Sequence, residues 1–202
     1  MARTPVRQHL VEKGTQVFLE RGYSGSAVQD ITAAAEVPKG SFYNHFESKE
    51  AFGGQVLQEF FSDLQRTISS TLEDASVPPV RRLQNYFAAI IETLDGQGYL
   101  FGCLIGNFSV ELSPLSDVVR TELLRIFEQW VKPFQKCIIE GQETGSIRRD
   151  LAPDLLADFL IASWQGAILR MKIERNREPL DQFLTVVFEA LLPSTENISN
   201  ES

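Results

Sequence analysis

Apolar residues recur along this chain at three- and four-residue steps almost from end to end. Nowhere do they alternate with polar residues over strand length between turn signals. The pattern predicts an all-α protein of about nine helices. Val6, Leu10, Val17 and Phe18 mark a first helix, opened by Thr4 or Pro5 and stopped at Gly22. Ser26, with Gln29 three residues on, has the form of a capping box for a second helix carrying Val28, Ile31 and Ala35. "EVPKG" then breaks the chain. A third helix has room only between about Lys39 and Asn44, because Ser48 caps the next one. That fourth helix, Lys49 to about Glu73, carries Phe52, Val56, Phe60, Leu64, Ile68 and Leu72 at steps of four. Gly53-Gly54 marks a point where it is expected to bend.

Breaks at "DASVPP" and "DGQGYLFG" bound a helix from Pro79 to about Leu94. Further helices are expected over Cys103 to Glu111, Ser116 to Gly141, Pro153 to Arg175 and Pro179 to Leu191. The last stretch, 193–202, reads as a disordered tail. There is no internal repeat and no linker long enough to free two domains. The expected organisation is therefore a helix-turn-helix head at 1–48 tied through the fourth helix to a body at 49–192.

Composition narrows the function. The 43% apolar fraction suffices for a core, no apolar run approaches the ~18 residues that cross a membrane, and the N-terminus lacks a signal-peptide segment. A cytoplasmic protein without membrane contact is expected. The net charge of −8 argues at first against nucleic acid, but its distribution matters more. Residues 1–50 balance six basic against six acidic side chains, and the whole deficit lies in the body. A neutral head with a locally positive face permits DNA binding.

An enzyme is not expected. The only histidines, His9 and His45, both lie in the head, far in sequence from either cysteine. No metal-ligand cluster, phosphate loop or nucleophile motif is present, so no metal and no cofactor are assigned.

Two short helices joined by a tight turn and braced by a third form a helix-turn-helix, whose second helix enters the DNA major groove. Such a helix needs short polar side chains outward and aromatic anchors inward. Lys39, Gly40, Ser41, Tyr43, Asn44 and His45 meet the first demand, Phe42 and Phe46 the second. Gly40 removes a side chain where backbone must approach closely. Lys39 and Lys49, with Ser26 and Ala27 at the start of the second helix, suit phosphate contacts.

The run "FLERGYSGSAVQDITAAAEVPKGSFYNHFESKEAF" closely resembles the N-terminal domain of the TetR (tetracycline repressor-like) family of bacterial transcriptional regulators. That resemblance implies an all-α homodimer that binds double-stranded DNA at a palindromic operator, with a variable ligand-binding C-terminal domain. It also implies dimerisation through the last two helices. "ADFLIASWQGAILRM" suits that role with small residues at Ala162, Ser163, Gly166 and Ala167, and Phe183, Leu184, Val187, Phe188 and Leu191 supply a second apolar face.

The body holds an aromatic inventory, Tyr86, Phe87, Tyr99, Phe101, Phe108, Phe127, Trp130, Phe134 and Trp164, that either fills a core or lines a pocket. Cys103 stands at the start of a short helix, where dipole and unpaired N–H groups favour thiolate; the competing role is a small buried hydrophobe. Cys137, between Phe134 and Ile138, reads as structural.

"GCLIGNFSVELS" and "AILRMKIERNREPL" resemble the TetR-family branch that includes the repressor of N-ethylmaleimide reductase and the acrylate-responsive regulators. The resemblance implies a small-molecule or electrophile inducer sensed at Cys103, with Lys172 as its partner. Trp164 and Lys172 share one helix face through Ile168. Asn107 and Phe108, on the helix that Cys103 opens, complete the candidate sensor set, although "IGN" (105–107) departs from the electrophile sensor. The alternative is a non-covalent apolar ligand pocket in which Cys103 is structural.

Overall fold

The computed structural model describes residues 5–193; most of the expected tail lies outside them. Among these residues the chain forms α1 (Val6–Arg21), α2 (Val28–Ala34), α3 (Lys39–Tyr43), α4 (Lys49–Thr71), α5 (Pro79–Gly96), α6 (Leu104–Glu111), α7 (Asp117–Glu143), α8 (Pro153–Glu174) and α9 (Glu178–Thr185). α9 passes directly into a π-helical segment, Val186–Leu191. All-α organisation follows from the helical period of the apolar residues. No described helix is long and apolar enough to cross a membrane.

The chain packs as two compact units, and their boundaries fall inside α4, just before α6 and inside α7. The first takes the chain up to Leu64 with Cys103–Ile126; the second takes Gln65–Gly102 and the chain from Phe127 onward.

The first unit is centred on phenylalanines. Phe42 and Phe46, from α3 and the turn after it, meet Phe52 of α4 at ring-centroid distances of 5.1 and 4.8 Å. Phe52 in turn contacts Phe18 of α1 at 5.7 Å. Phe18 meets Phe108 of α6 at 5.5 Å. Phe18, Phe42, Phe52 and Phe108 are fully buried. Offset and edge-on ring pairs of this kind add stabilisation beyond the area they bury.

Two local expectations change. The second helix is capped by Ala27, not Ser26: Asp30, three residues on, accepts the Ala27 N–H at 2.7 Å. Ser26, one residue too early, is buried and donates its hydroxyl to the Tyr23 carbonyl at 2.9 Å. α4 runs as a single helix through Gly53-Gly54. Gly53 is small for another reason: a Cβ there would come within 3.1 Å of the Tyr23 ring and 3.6 Å of Phe108.

The second unit has its own aromatic core. Phe87 meets Trp164 at 4.9 Å and Phe183 at 5.0 Å. Tyr86 meets Phe134 at 4.9 Å and accepts the Trp130 indole N–H at 2.9 Å. Arg82, only 4% exposed, pairs with Glu140 of α7 and donates to the Leu72 carbonyl at 3.0 Å. The guanidinium thereby closes the C-terminal end of α4 while its charge is compensated.

Candidate nucleic-acid interface and sensor residues

α2 and α3 are joined by a turn in which Glu36 takes a left-handed conformation, φ 54°, and Val37 N–H bonds back to the Thr32 carbonyl at 3.0 Å. Pro38 precedes α3 and sets its first turn. The five-residue helix buries Phe42 and leaves Lys39, Gly40, Tyr43 and Asn44 exposed, with His45 exposed just beyond; Ser41 is half-buried. Around Gly40 the space is open, so backbone is accessible there. Ala27 is exposed at the head of α2. These residues share one compact unit.

Two expected phosphate neighbours are placed otherwise. Ser26 faces inward, as described. Lys49 is half-buried, and its ammonium donates to the carbonyls of Tyr23 and Ser26, each at 2.5 Å, while lying 4.1 Å from the Tyr23 ring centroid. Burial lowers the pKa of Lys49, and the carboxylates of Glu111 and Asp30 oppose that shift. The physical reason is local: the loop after α1 leaves carbonyls without helical partners, and a cation from α4 satisfies them.

Glu111, the last residue of α6, was not singled out by its sequence context. Its carboxylate accepts the backbone N–H groups of Tyr23 at 3.3 Å and Ser24 at 2.8 Å. Nothing within "SVEL" signals a partner 88 residues upstream.

The sensor candidates divide between the two units. In the first, Cys103 is the N-cap of α6, half-buried, with extended backbone, and its carbonyl accepts the Asn107 N–H at 3.0 Å. Asn107 is half-buried. Phe108 is buried against Phe18 and Tyr23. In the second, Trp164 is buried between Phe87 and Phe183, and Lys172 is half-buried near the end of α8. Cys137 is buried with its thiol on the Pro79 carbonyl, and burial pushes its pKa up to about 11.

Residues 10–53 match the family of bacterial regulatory proteins of tetR type, and residues 79–187 match the tetracyclin repressor-like C-terminal domain. The chain belongs to the TetR family. It is a DNA-binding transcriptional regulator, of a family whose repressors act as dimers. It is 98% identical over 202 residues, all of both chains, to the HTH-type transcriptional repressor DhaR of Mycobacterium sp. strain GP1. Among solved structures it superposes on a TetR regulatory protein from Rhodobacter sphaeroides with a TM-score of 0.88, at 34% identity, over 93% of this chain and 98% of that one. The reduced form of Escherichia coli NemR aligns with a TM-score of 0.83, at 31% identity, over 93% and 96%.

In this TetR-family chain the exposed apolar residues of α8 fall on one face. Leu155, Phe159, Leu169 and Ile173 are 57, 51, 62 and 73% exposed, with small Ala162 and Gly166 in line between them. Val186 of the π-helical segment is 58% exposed. Phe183 and Val187, expected on the open face of the last helix, are instead buried, and Ala167 of α8 is buried too.

Proposed function

We propose that the chain is a repressor that binds a palindromic operator as a homodimer and leaves it when a small-molecule or electrophile signal acts on its C-terminal part. In this reading residues 1–48 are the DNA-binding domain and 49–192 the ligand-sensing and dimerisation domain. The observation that carries it is the outer face of α3, where Lys39, Gly40, Tyr43 and Asn44 stand exposed on a helix anchored by Phe42. A short anchored helix with polar side chains outward is what major-groove reading requires.

Tyr43→Ala removes a side chain that is 54% exposed. It is expected to weaken operator binding by about 1–3 kcal/mol while leaving thermal stability nearly unchanged. Fluorescence anisotropy on an operator duplex measures the first and a thermal melt the second. Unchanged affinity would remove Tyr43 from the reading face.

The homodimer forms through α8 and the last helix in this reading, and the exposed apolar face of α8 supports it, because apolar side chains in line on one helix face suit burial against a second copy. A two-fold dimer places its two α3 helices on half-sites about one helical turn, or a multiple of it, apart.

The signal acts at Cys103. Its position supports this: the thiol stands half-buried, not enclosed, at the N-cap of α6. Cys137 is the contrast, its thiol held protonated by burial. Brief treatment of the native dimer with N-ethylmaleimide is expected to add one adduct per chain, at Cys103, by intact-mass spectrometry. The same treatment releases operator DNA from wild type and not from Cys103→Ser in a gel shift. If Cys103→Ser is released as well, the thiol switch fails and a non-covalent apolar ligand, with Cys103 structural, takes its place.

A further inference from the structure

We propose that Glu111 is a positioning residue for operator binding: a carboxylate that never meets DNA but fixes the loop on which the DNA-reading helices are mounted. The proposal rests on reading α2 and α3 as the DNA-contacting elements, and adds a residue from the opposite end of the first unit's sequence.

The loop between α1 and α2 spans residues 22–27. Its N–H groups need partners. Gly22 N–H returns to the Phe18 carbonyl at 3.0 Å and Ala27 N–H goes to Asp30 at 2.7 Å. Tyr23 and Ser24 N–H groups both go to the Glu111 carboxylate, at 3.3 and 2.8 Å. On the carbonyl side, Tyr23 and Ser26 are held by the Lys49 ammonium. The loop is therefore gripped at both poles, its N–H groups by an anion from α6 and its carbonyls by a cation from α4. Tyr23 is held on both sides at once.

The surroundings are shaped for this grip. Gly22 has φ +74°, a conformation that favours glycine, and a Cβ there would lie 2.7 Å from a Glu111 carboxylate oxygen and push the carboxylate aside. One turn before Glu111, Phe108 packs edge-on against Tyr23 at 5.8 Å, and Gly53 leaves room for both rings. The gripped loop ends at Ala27, where α2 begins, and α3 follows α2 after a tight turn. Whatever fixes the loop fixes the entry of both helices. Cys103 is the N-cap of α6 and Glu111 its last residue, so the helix carries the candidate thiol and the carboxylate at opposite ends.

A plain electrostatic view and the positioning view differ in sign. Removing a negative charge from a DNA-binding protein lowers its repulsion of phosphate, which favours binding. If Glu111 positions the loop, removing it weakens binding instead. The slope of log affinity against log salt stays as in wild type, because no phosphate contact is lost.

The test uses full-length dimer and a duplex selected from a random-sequence pool by the wild-type protein. Glu111→Ala is expected to bind that duplex about tenfold more weakly or worse, the scale of losing two charge-assisted hydrogen bonds. Glu111→Gln, which keeps the length and one acceptor oxygen, is expected to recover part of the loss. Hydrogen exchange at the Tyr23 and Ser24 amides should accelerate in Glu111→Ala, with the salt slope unchanged. The proposal is overturned if Glu111→Ala binds as tightly as wild type or more tightly. Should Glu111→Ala fail to fold, Glu111→Gln is judged by the same criterion. If the wild-type protein itself selects no duplex, the DNA reading falls and the positioning role falls with it; failure of the variants alone sinks only the latter.

Discussion

Replacing Phe159 and Leu169 together with arginine is expected to turn the dimer into a monomer and to lower operator affinity by about a thousandfold. Both side chains are more than half exposed on the α8 face, so each chain's own core loses little. In the proposed bundle the arginines would stand against apolar side chains of a second copy, and an unpaired charge there is strongly unfavourable. The large effect on DNA arises because two linked half-sites reinforce each other by two to four orders of magnitude, and a monomer loses that gain. Size-exclusion chromatography with light scattering reads the assembly, and anisotropy the affinity. A doubly substituted protein that remains dimeric and binds as wild type would reject α8 as the interface.

Phe42→Ala should act as strongly by a different route. Phe42 is fully buried, with Phe46, Phe52 and Tyr43 around it at 5.4, 5.1 and 5.3 Å. Truncating such a ring costs about 3–5 kcal/mol, the transfer term plus the cavity left behind. That is a large part of the ~5–15 kcal/mol that holds an ordinary domain folded. The melting temperature should fall by roughly 10 °C and operator binding should be lost with the geometry of α3. Phe42→Leu, which retains most of the volume, is expected to keep much of both. A Phe42→Ala protein that melts and binds like wild type would show that α3 is not held by this cluster.

Much of this organisation was legible in the sequence, because helices announce themselves by period. The stripe from Phe52 to Leu72 marked α4, and Pro153 the start of α8, since proline at a first helical turn costs nothing. The pairing of Phe42 and Phe46 was legible too, as a one-turn spacing on one face. What the sequence hid is where long polar side chains go. Lys49 near a helix start reads as a phosphate ligand, yet its flexible stem reaches carbonyls 23 and 26 residues earlier. Glu111 reads as an exposed helix-end acid for the same reason.

The cap of α2 lies one residue later than the Ser26–Gln29 pattern suggests because Asp30 reaches back to the Ala27 N–H, while the Ser26 hydroxyl turns to the Tyr23 carbonyl. At the C-terminus, Leu180, Phe183 and Val187 share one face at helical spacing, but that face turns into the second unit's own core against Phe87 and Trp164, and period alone does not separate a core face from an open one. For the sensor, aromatic content alone could not separate lining from filling. Phe108 and Trp164 are both buried, each against two other rings.

The phenylalanine core of the first unit draws on α6 as well as on the N-terminal helices, and this bears on how such regulators are recombined. A chimera that joins residues 1–48 to a foreign body carries the proposed reading residues but leaves behind Phe52, Phe108 and Glu111. Phe18 then loses two of its ring partners and the loop at Tyr23 loses its acceptor. Transplanted operator specificity should therefore travel well only into bodies whose own fourth and sixth helices present an aromatic and an acid at the same places. For engineered hybrids, the useful unit of exchange is discontinuous in sequence.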